Sequence, residues 1–472
     1  MLPPLTKIIA TLGPAVGQKK QIKALAQAGV NIFRLNLSHG VYPALTEWIG
    51  YIREVEKELG IYLGILLDLQ GPKMRVGKIK NGSVQLRRGD CCVFTTGKPV
   101  GDEIPVQYAK FHQVVSPGDR VYLNDGQICV SVQKVSGKCV ETKVSEGGLL
   151  SNFKGINLPD AEIDESPITP KDRRDLEFGL QAGVDFVALS FVGRARDIQL
   201  LRRMIRAKGG SAEIVAKIER RQAVERMDEI IEEADAVMVA RGDLGVEIPL
   251  SEVPIIQNRI LKECIRKSRP VIVATQMLES MIENARPTRA EVSDVSNAVM
   301  SGADAVMLSG ETAVGKHPLS VVKVMVETIC VAEKFLNESG AKEENRERLK
   351  KLPIARGVAL TAQRMAGWLQ ARALVVFTES GGTAKTVASF RPKASILAFT
   401  STEAQARRLI LVRGTIPILV DGKVSLMEDI GELFRLIKSK RLLKKGDRVI
   451  ITAGLPLGRP GWINVVRVET LP

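Results

Sequence analysis

Between residues 6 and 335, short β-branched apolar runs alternate with stretches whose apolar residues recur at helical spacing. The runs are TKIIATLG, VNIFRLNLS, YLGILLDLQG, VDFVALSF, AEIVAKIE, DAVMVARGD, RPVIVATQ and DAVMLSGE, eight in all. Helical patterns at 19–28, 43–59, 170–181, 194–207 and 254–268 fall between or after them. Eight β/α units in series predict an α/β fold built on a closed parallel (β/α)8 TIM barrel, here over residues 1–71 and 167–336.

The series is interrupted after the third strand. Residues 72–166 are rich in glycine and alternate apolar and polar positions, as in VYLNDGQICVSVQKVSGKCVETKV. Asn124-Asp125-Gly126 and Ser136-Gly137 read as tight hairpin turns. The pattern predicts a small β-barrel inserted as a lid, on a loop at the barrel face that usually carries chemistry. Residues 337–351, NESGAKEENRERLKK, are polar without apolar periodicity and read as a linker or an exposed helix end. Beyond it, residues 352–472 alternate helices with ARALVVFTES, ASILAFT, TIPILV, GDRVIITAG and INVVRVETL, which predicts a separate α/β domain of about five strands.

Composition narrows the classes. With 45% hydrophobic and 26% charged residues the chain has the make-up of a globular protein, and no apolar run reaches a membrane span. MLPPLTKIIATLGPA lacks the basic-then-apolar pattern of a secretory signal. The six cysteines have neither metal-ligand nor CxxC spacing, so reduced thiols and a cytoplasmic setting are expected. A net charge of +15 suits nucleic acid, but it also draws in small phosphorylated anions. Runs such as KSKRLLKK (438–445) are most simply solvated faces, and 4% aromatics supply few stacking platforms, which argues against nucleic acid.

Polar residues at the C-terminal ends of barrel strands read as active-site residues, because the interior layers want branched apolar side chains. Here those ends carry Arg34, Asn36 and Ser38; Asp68; Ser190; Lys217 and Glu219; Arg241, Gly242 and Asp243; Thr275 and Gln276; and Ser309 and Glu311. A lone charge at a strand end is most simply leaving the core. Arg34, Asp68, Lys217, Glu219 and Asp243 gathered in one barrel mouth would instead be costly without a ligand. Glu219 and Asp243, from adjacent strands, are hard oxygen donors fit for Mg²⁺ or Mn²⁺. Arg34 and Lys217 supply the fixed positive charge that a phosphoryl group in transit requires, and the glycines of ARGDLG free backbone amides for an anion. Metal and cationic clamps under a lid point to phosphoryl transfer or metal-stabilised enolate chemistry.

The segments TKIIATLGP, FRLNLSHG, GPKMR, SNFKGINLP, VAKIE, MVARGDLGVEIP, ATQMLESMIENARPTRAEVSDV and GADAVMLSGETAVGKHP together resemble the pyruvate kinase family along nearly the whole chain. The resemblance implies Mg²⁺-dependent transfer of the phosphoryl group of phosphoenolpyruvate to ADP, giving pyruvate and ATP in the last step of glycolysis. It also implies a barrel, a lid, a regulatory C-terminal domain and a homotetramer. Carried over residue by residue, Glu219 and Asp243 match the metal ligands, Lys217 the lysine on the phosphoryl group and Arg34 the arginine on the phosphate. Gly242, Asp243 and Thr275 match positions around the substrate carboxylate, with Thr275 near the proton path to the enolate. Arg75 and Lys154, with Asn36, match nucleotide contacts. Asn36, Ser38, Asp68 and the Leu69 carbonyl match a monovalent-cation pocket. His39 completes the SHG turn and is left out of the catalytic set.

Many members read Asp-Thr-Lys-Gly-Pro-Glu where this chain has Asp68-Leu69-Gln70-Gly71-Pro72-Lys73. A lysine in place of that glutamate supplies covalently the positive charge that K⁺ otherwise brings. This resembles the K⁺-independent bacterial branch, so K⁺ is not expected to be required. In the C-terminal domain TESGGTAK (378–385) follows a strand and opens a helix, a setting for an anion. Thr378, Ser380, Gly381, Gly382 and Thr383 there resemble the family's effector loop, expected to take AMP or a sugar phosphate such as ribose 5-phosphate, with fructose 1,6-bisphosphate left open. Two other readings stand beside the kinase. A metal-dependent pyruvate-enolate lyase would have no need of Lys217 or a nucleotide lid, and a non-catalytic sensor or RNA-binding relative would have lost catalytic positions.

Overall fold

The computed structural model describes residues 3–38, 40–163, 166–338, 352–420, 430–440, 442–454 and 463–472. His39 and most of the expected linker lie outside the described residues.

Eight parallel strands close into a barrel: β1 (Lys7–Thr11), β2 (Ile32–Asn36), β3 (Gly64–Asp68), β4 (Phe186–Leu189), β5 (Glu213–Ile218), β6 (Ala236–Ala240), β7 (Val271–Ala274) and β8 (Ala305–Leu308). They are the eight apolar runs of the sequence, and each neighbours the next in chain order, with β8 pairing back onto β1. Strands covered on both sides need apolar residues throughout, and most of their positions are buried. Alternate positions point inward, where Ile9, Ile32, Leu66, Phe186, Val215, Met238 and Ile272 pack as the barrel's own core. Helices Tyr42–Leu59, Pro170–Gln181 and Val253–Arg266 lie over the outer layer, within a residue or two of the ranges their periodicity predicts.

Between β3 and β4 the chain forms a six-stranded sheet and a two-stranded ribbon with a core of its own, including Phe94, Phe111, Val121 and Val140. Both predicted hairpins are present. Arg120–Leu123 pairs antiparallel with Ile128–Ser136, and the latter with Cys139–Glu146. Asn124, Asp125 and Gly126 all take positive φ, and so does Gly137, as such turns require.

The last region is a five-stranded sheet of β9 (Ala373–Phe377), β10 (Ser395–Thr400), β11 (Thr415–Leu419), β12 (Arg448–Ala453) and β13 (Val465–Thr470), in the order 11-10-9-12-13 with β13 antiparallel. It plugs the N-terminal end of the barrel: Ile410 and Leu411 join the barrel's inner core. Ion pairs Arg407–Glu56, Lys385–Glu213 and Arg391–Asp304 rim that junction. Among the described residues no helix is long and apolar enough to cross a membrane.

Candidate active site

The strand-end residues converge. Arg34, Asn36, Ser38, Asp68, Leu69, Lys73, Lys217, Glu219 and Asp243 all line one cleft of about 500 Å³ at the C-terminal mouth of the barrel, together with Gln70, Ser190 and Phe191. The expected charge cluster is therefore real, and it is partly buried: Asp68, Lys217 and Glu219 are 2%, 9% and 2% exposed.

Asp68 sits at the centre. Its Oδ2 accepts from Arg34 Nε at 2.8 Å and faces Arg34 Nη2 at 2.7 Å, while Arg34 Nη1 reaches Thr11 Oγ1 at 3.1 Å. The Lys217 ammonium lies 3.4 Å from Asp68 Oδ1 and 3.2 Å from Glu219 Oε2, and donates to Ser190 Oγ at 2.6 Å. Glu219 Oε1 accepts the backbone N–H of Phe191 at 2.7 Å, and Oε2 accepts no hydrogen bond among the described residues. The Lys217 ammonium offsets the charge of that oxygen from 3.2 Å without a hydrogen bond, so its coordination has room for a divalent cation. Among the described residues no group of three or more His, Cys, Asp or Glu side chains is arranged around a metal site. Glu219 and Asp243, which line the same cleft, could hold an ion with the rest of its sphere coming from water and substrate oxygens, an arrangement that suits Mg²⁺.

Electrostatics follow from burial and neighbours. Burial pushes the Asp68 carboxyl up, but the charges of Lys217 and Arg34 overcome it and leave it below the usual carboxylate range. Burial also works against the Lys217 ammonium, yet Asp68, Glu219 and Asp243 hold its pKa above the ordinary lysine value. Glu219 goes the other way: burial, with Asp243 and Asp68 close by, pushes it up to about 7 against the pull of Lys217 and the Phe191 amide.

Families can share such a cleft by convergence, so the comparison with known proteins decides the identity. The pyruvate kinase barrel domain matches residues 4–322, and the pyruvate kinase alpha/beta domain matches residues 356–469. The chain belongs to the pyruvate kinase family. It is 41% identical over 470 residues to the pyruvate kinase of Corynebacterium glutamicum, covering 99% of this chain and 97% of that one. It is 40% identical over 469 residues to that of Mycobacterium tuberculosis, covering 98% of each. Among solved structures, a pyruvate kinase from Cryptosporidium parvum superposes with a TM-score of 0.91 at 32% identity, covering 99% of this chain and 96% of that one. This chain is accordingly an enzyme, a phosphotransferase working between phosphoenolpyruvate and ADP. The lyase and the non-catalytic readings are set aside.

Not every expected site residue reaches the pyruvate kinase cleft. Gly242 and Thr275 are not among the residues lining it and are joined to each other: the Gly242 N–H donates to Thr275 Oγ1 at 2.8 Å, and that hydroxyl donates to the Ala274 carbonyl at 2.6 Å. The Gly242 amide is thus not free for an anion as its sequence setting suggests, because the seventh strand's threonine already takes it. Thr275 and Gln276 have φ of 68° and 53°, unusual for non-glycine residues, and Arg241 holds the kink by donating to both of their carbonyls. Glu311 accepts the backbone amides of Leu278 and Ser309, so it shapes a turn. Arg75 and Lys154 lie near each other in the insertion, outside its strands, beside the isolated Arg75–Gly155 bridge, with Arg75 Nη1 on the Phe153 carbonyl at 2.9 Å.

A second, open cleft separates the inserted sheet from the barrel and shares Lys73, Phe191 and Asp243 with the first. The insertion touches the barrel here: Asn157 Nδ2 donates to Glu247 Oε1 at 3.2 Å, on the short helix Arg241–Glu247 that carries Asp243. Phe191, Arg220 and Glu247 were not singled out in the sequence. Nothing in an SFVG or KIER string distinguishes such residues from core and surface. In the last domain Thr378 and Thr383 are buried, Ser380 is exposed, and Gly381 takes φ 83° at the start of helix Gly382–Ser389.

Proposed function

We propose that phosphoryl transfer takes place in the Asp68–Lys217–Glu219 cleft with Mg²⁺ or Mn²⁺ on Glu219 and Asp243, and that K⁺ is not required because Lys73 supplies its charge. The observation that carries the metal reading is the buried Oε2 of Glu219, which has the Lys217 ammonium 3.2 Å away but accepts no hydrogen bond among the described residues, in a cleft shared with Asp243. When bound, the ion polarises substrate oxygens and offsets charge developing on them.

The chain's own residues do the rest. Arg34, locked by Asp68 and Thr11, meets the substrate phosphate as a fixed cation. Lys217 follows the phosphoryl group as its bond to the enol oxygen breaks and a bond to an oxygen of the ADP β-phosphate forms; both stages carry negative charge that a preorganised ammonium stabilises. The enolate left behind takes a proton at its methylene carbon. Thr275, which holds the Gly242 amide beside Asp243, orients that proton's source indirectly, and Asp243, positioned by Gly242, lies by the carboxylate. Residues 72–166 act as a lid over the barrel of 1–71 and 167–336. Asn36, Arg75 and Lys154 hold the nucleotide, and the Asn157–Glu247 contact draws the lid down beside Asp243 to exclude water.

Lys73 lines the same cleft as Asn36, Ser38, Asp68 and Leu69, the expected monovalent-cation pocket. An exposed lysine on a flexible stem reaches that pocket from its rim. In the domain of residues 352–472, β9 lies at the switch point of the sheet order, where parallel sheets open a crevice for ligands. The loop of Thr378, Ser380, Gly381, Gly382 and Thr383 leaves β9 there, and we assign it a phosphorylated effector, AMP or a sugar phosphate. A cytoplasmic homotetramer completes the reading. Its test is Mn²⁺ binding to the substrate-free protein: Glu219→Gln should lose it with the fold intact, and parent-like binding by that variant would overturn the assignment.

A further inference from the structure

Ser190 follows β4 directly and is 3% exposed. Its hydroxyl accepts from Lys217 Nζ at 2.6 Å and donates to the Leu69 carbonyl at 2.8 Å; Asp68 Oδ1 is farther, at 3.4 Å. A serine hydroxyl has one proton to give, so the Leu69 carbonyl fixes the rotor and turns the lone pairs to Lys217. An ammonium has three donors. Here they face Ser190 Oγ, Glu219 Oε2 at 3.2 Å and Asp68 Oδ1 at 3.4 Å, and the one uncharged acceptor is the nearest. Coulomb attraction alone would reverse that order, since two carboxylates outpull a neutral oxygen in a buried site.

We propose that Ser190 is a positioning residue that holds the Lys217 ammonium short of full contact with either carboxylate, keeping Glu219 Oε2 open to the divalent ion and the lysine aimed at the phosphoryl group. This rests on the reading of Glu219 as a metal ligand and Lys217 as the phosphoryl lysine. Without the hydroxyl, the ammonium closes onto Glu219 Oε2 and competes with the ion for it. The Leu69 carbonyl, which belongs to the expected cation pocket, loses its donor in the same step. One side chain therefore joins three strands: β4, the end of β3 and the lysine of β5.

The experiment compares full-length Ser190→Ala and Ser190→Thr with the parent, reading Mn²⁺ binding without substrates by electron paramagnetic resonance, then kcat, KM for each substrate, and thermal melting. Mn²⁺ affinity and kcat should each fall roughly 10- to 100-fold in Ser190→Ala, the range for partners that orient metal-site groups. KM for ADP should hold, and Ser190→Thr, which keeps the hydroxyl, should recover both. Parent-like Mn²⁺ affinity and kcat in Ser190→Ala would overturn the proposal, whether or not the melting temperature falls. If the threonine does not fit the buried site, the alanine result decides alone. Parent-like Mn²⁺ binding by Glu219→Gln would place the failure in the metal reading and overturn this proposal with it.

Discussion

Phe191 donates its backbone N–H to Glu219 Oε1 across 2.7 Å while holding a φ of 57°. A bulky residue adopts that left-handed conformation only where its surroundings impose it, and such strain costs about 1–3 kcal/mol. The surroundings are visible at Gly71, where an added Cβ would lie 2.7 Å from the Phe191 ring and where φ is itself 69°. The corner leading into the insertion thus sets the amide that orients Glu219, leaving the other oxygen turned to the cleft.

Gly71→Ala should therefore weaken divalent-ion binding although Gly71 touches no ion. The added methyl pushes the Phe191 ring, and the amide moves off Glu219. A roughly tenfold or greater loss of Mn²⁺ affinity in titration is expected, on the scale of outer-shell substitutions. Unchanged affinity would show that the amide and the ring move independently.

Asp68 neutralises Arg34 and Lys217 at once, and its carboxyl titrates below the ordinary range. Asp68→Asn removes the carboxylate that the buried Lys217 shares with the half-buried Arg34. Destabilisation of about 3–5 kcal/mol is expected, the cost of breaking a buried pair from one side. Inorganic phosphate should raise the melting temperature of this variant more than that of the parent, since Arg34 and Lys217 have both lost the negative charge of Asp68 and attract an anion more strongly. Denaturant melts with and without phosphate measure both effects.

Much of this architecture is legible along the chain, because a strand covered on two faces must be a continuous apolar run and its polar end then stands out. Arg34, Asp68, Lys217, Glu219 and Asp243 announce themselves that way. What stays hidden depends on contacts between strands. Ser190 is visible as a strand end, but its bonds to Lys217 and Leu69 cross the barrel wall. Phe191 contributes a backbone amide and a dihedral angle, neither of which its side chain encodes. Ile410 and Leu411 read as a helix end in the last domain, yet they fill the barrel's floor.

Glu219 gives the metal site a pH dependence with a definite sign. Its pKa in the fold is raised to about 7 from the ordinary carboxylate value, by burial first and then by Asp243. The metal-free fold binds a proton there that the unfolded chain has already released, so this group's contribution to stability is full at acid pH and is lost as pH rises through about 7. An ion on Glu219 must displace that proton. Mn²⁺ affinity should fall up to about tenfold per pH unit below 7 and level off above it. A flat profile from pH 6 to 8 would mean that Glu219 is already ionised in the metal-free protein.

The most direct measurement is pyruvate formation from phosphoenolpyruvate, ADP and Mg²⁺ in a buffer whose one monovalent cation is bulky and organic, with and without added K⁺, for the parent and for Lys73→Glu. The account predicts equal, substantial rates for the parent in both buffers, and turnover by Lys73→Glu that depends on K⁺. A parent that turns over only with K⁺ would contradict it, and so would a Lys73→Glu variant indifferent to the cation.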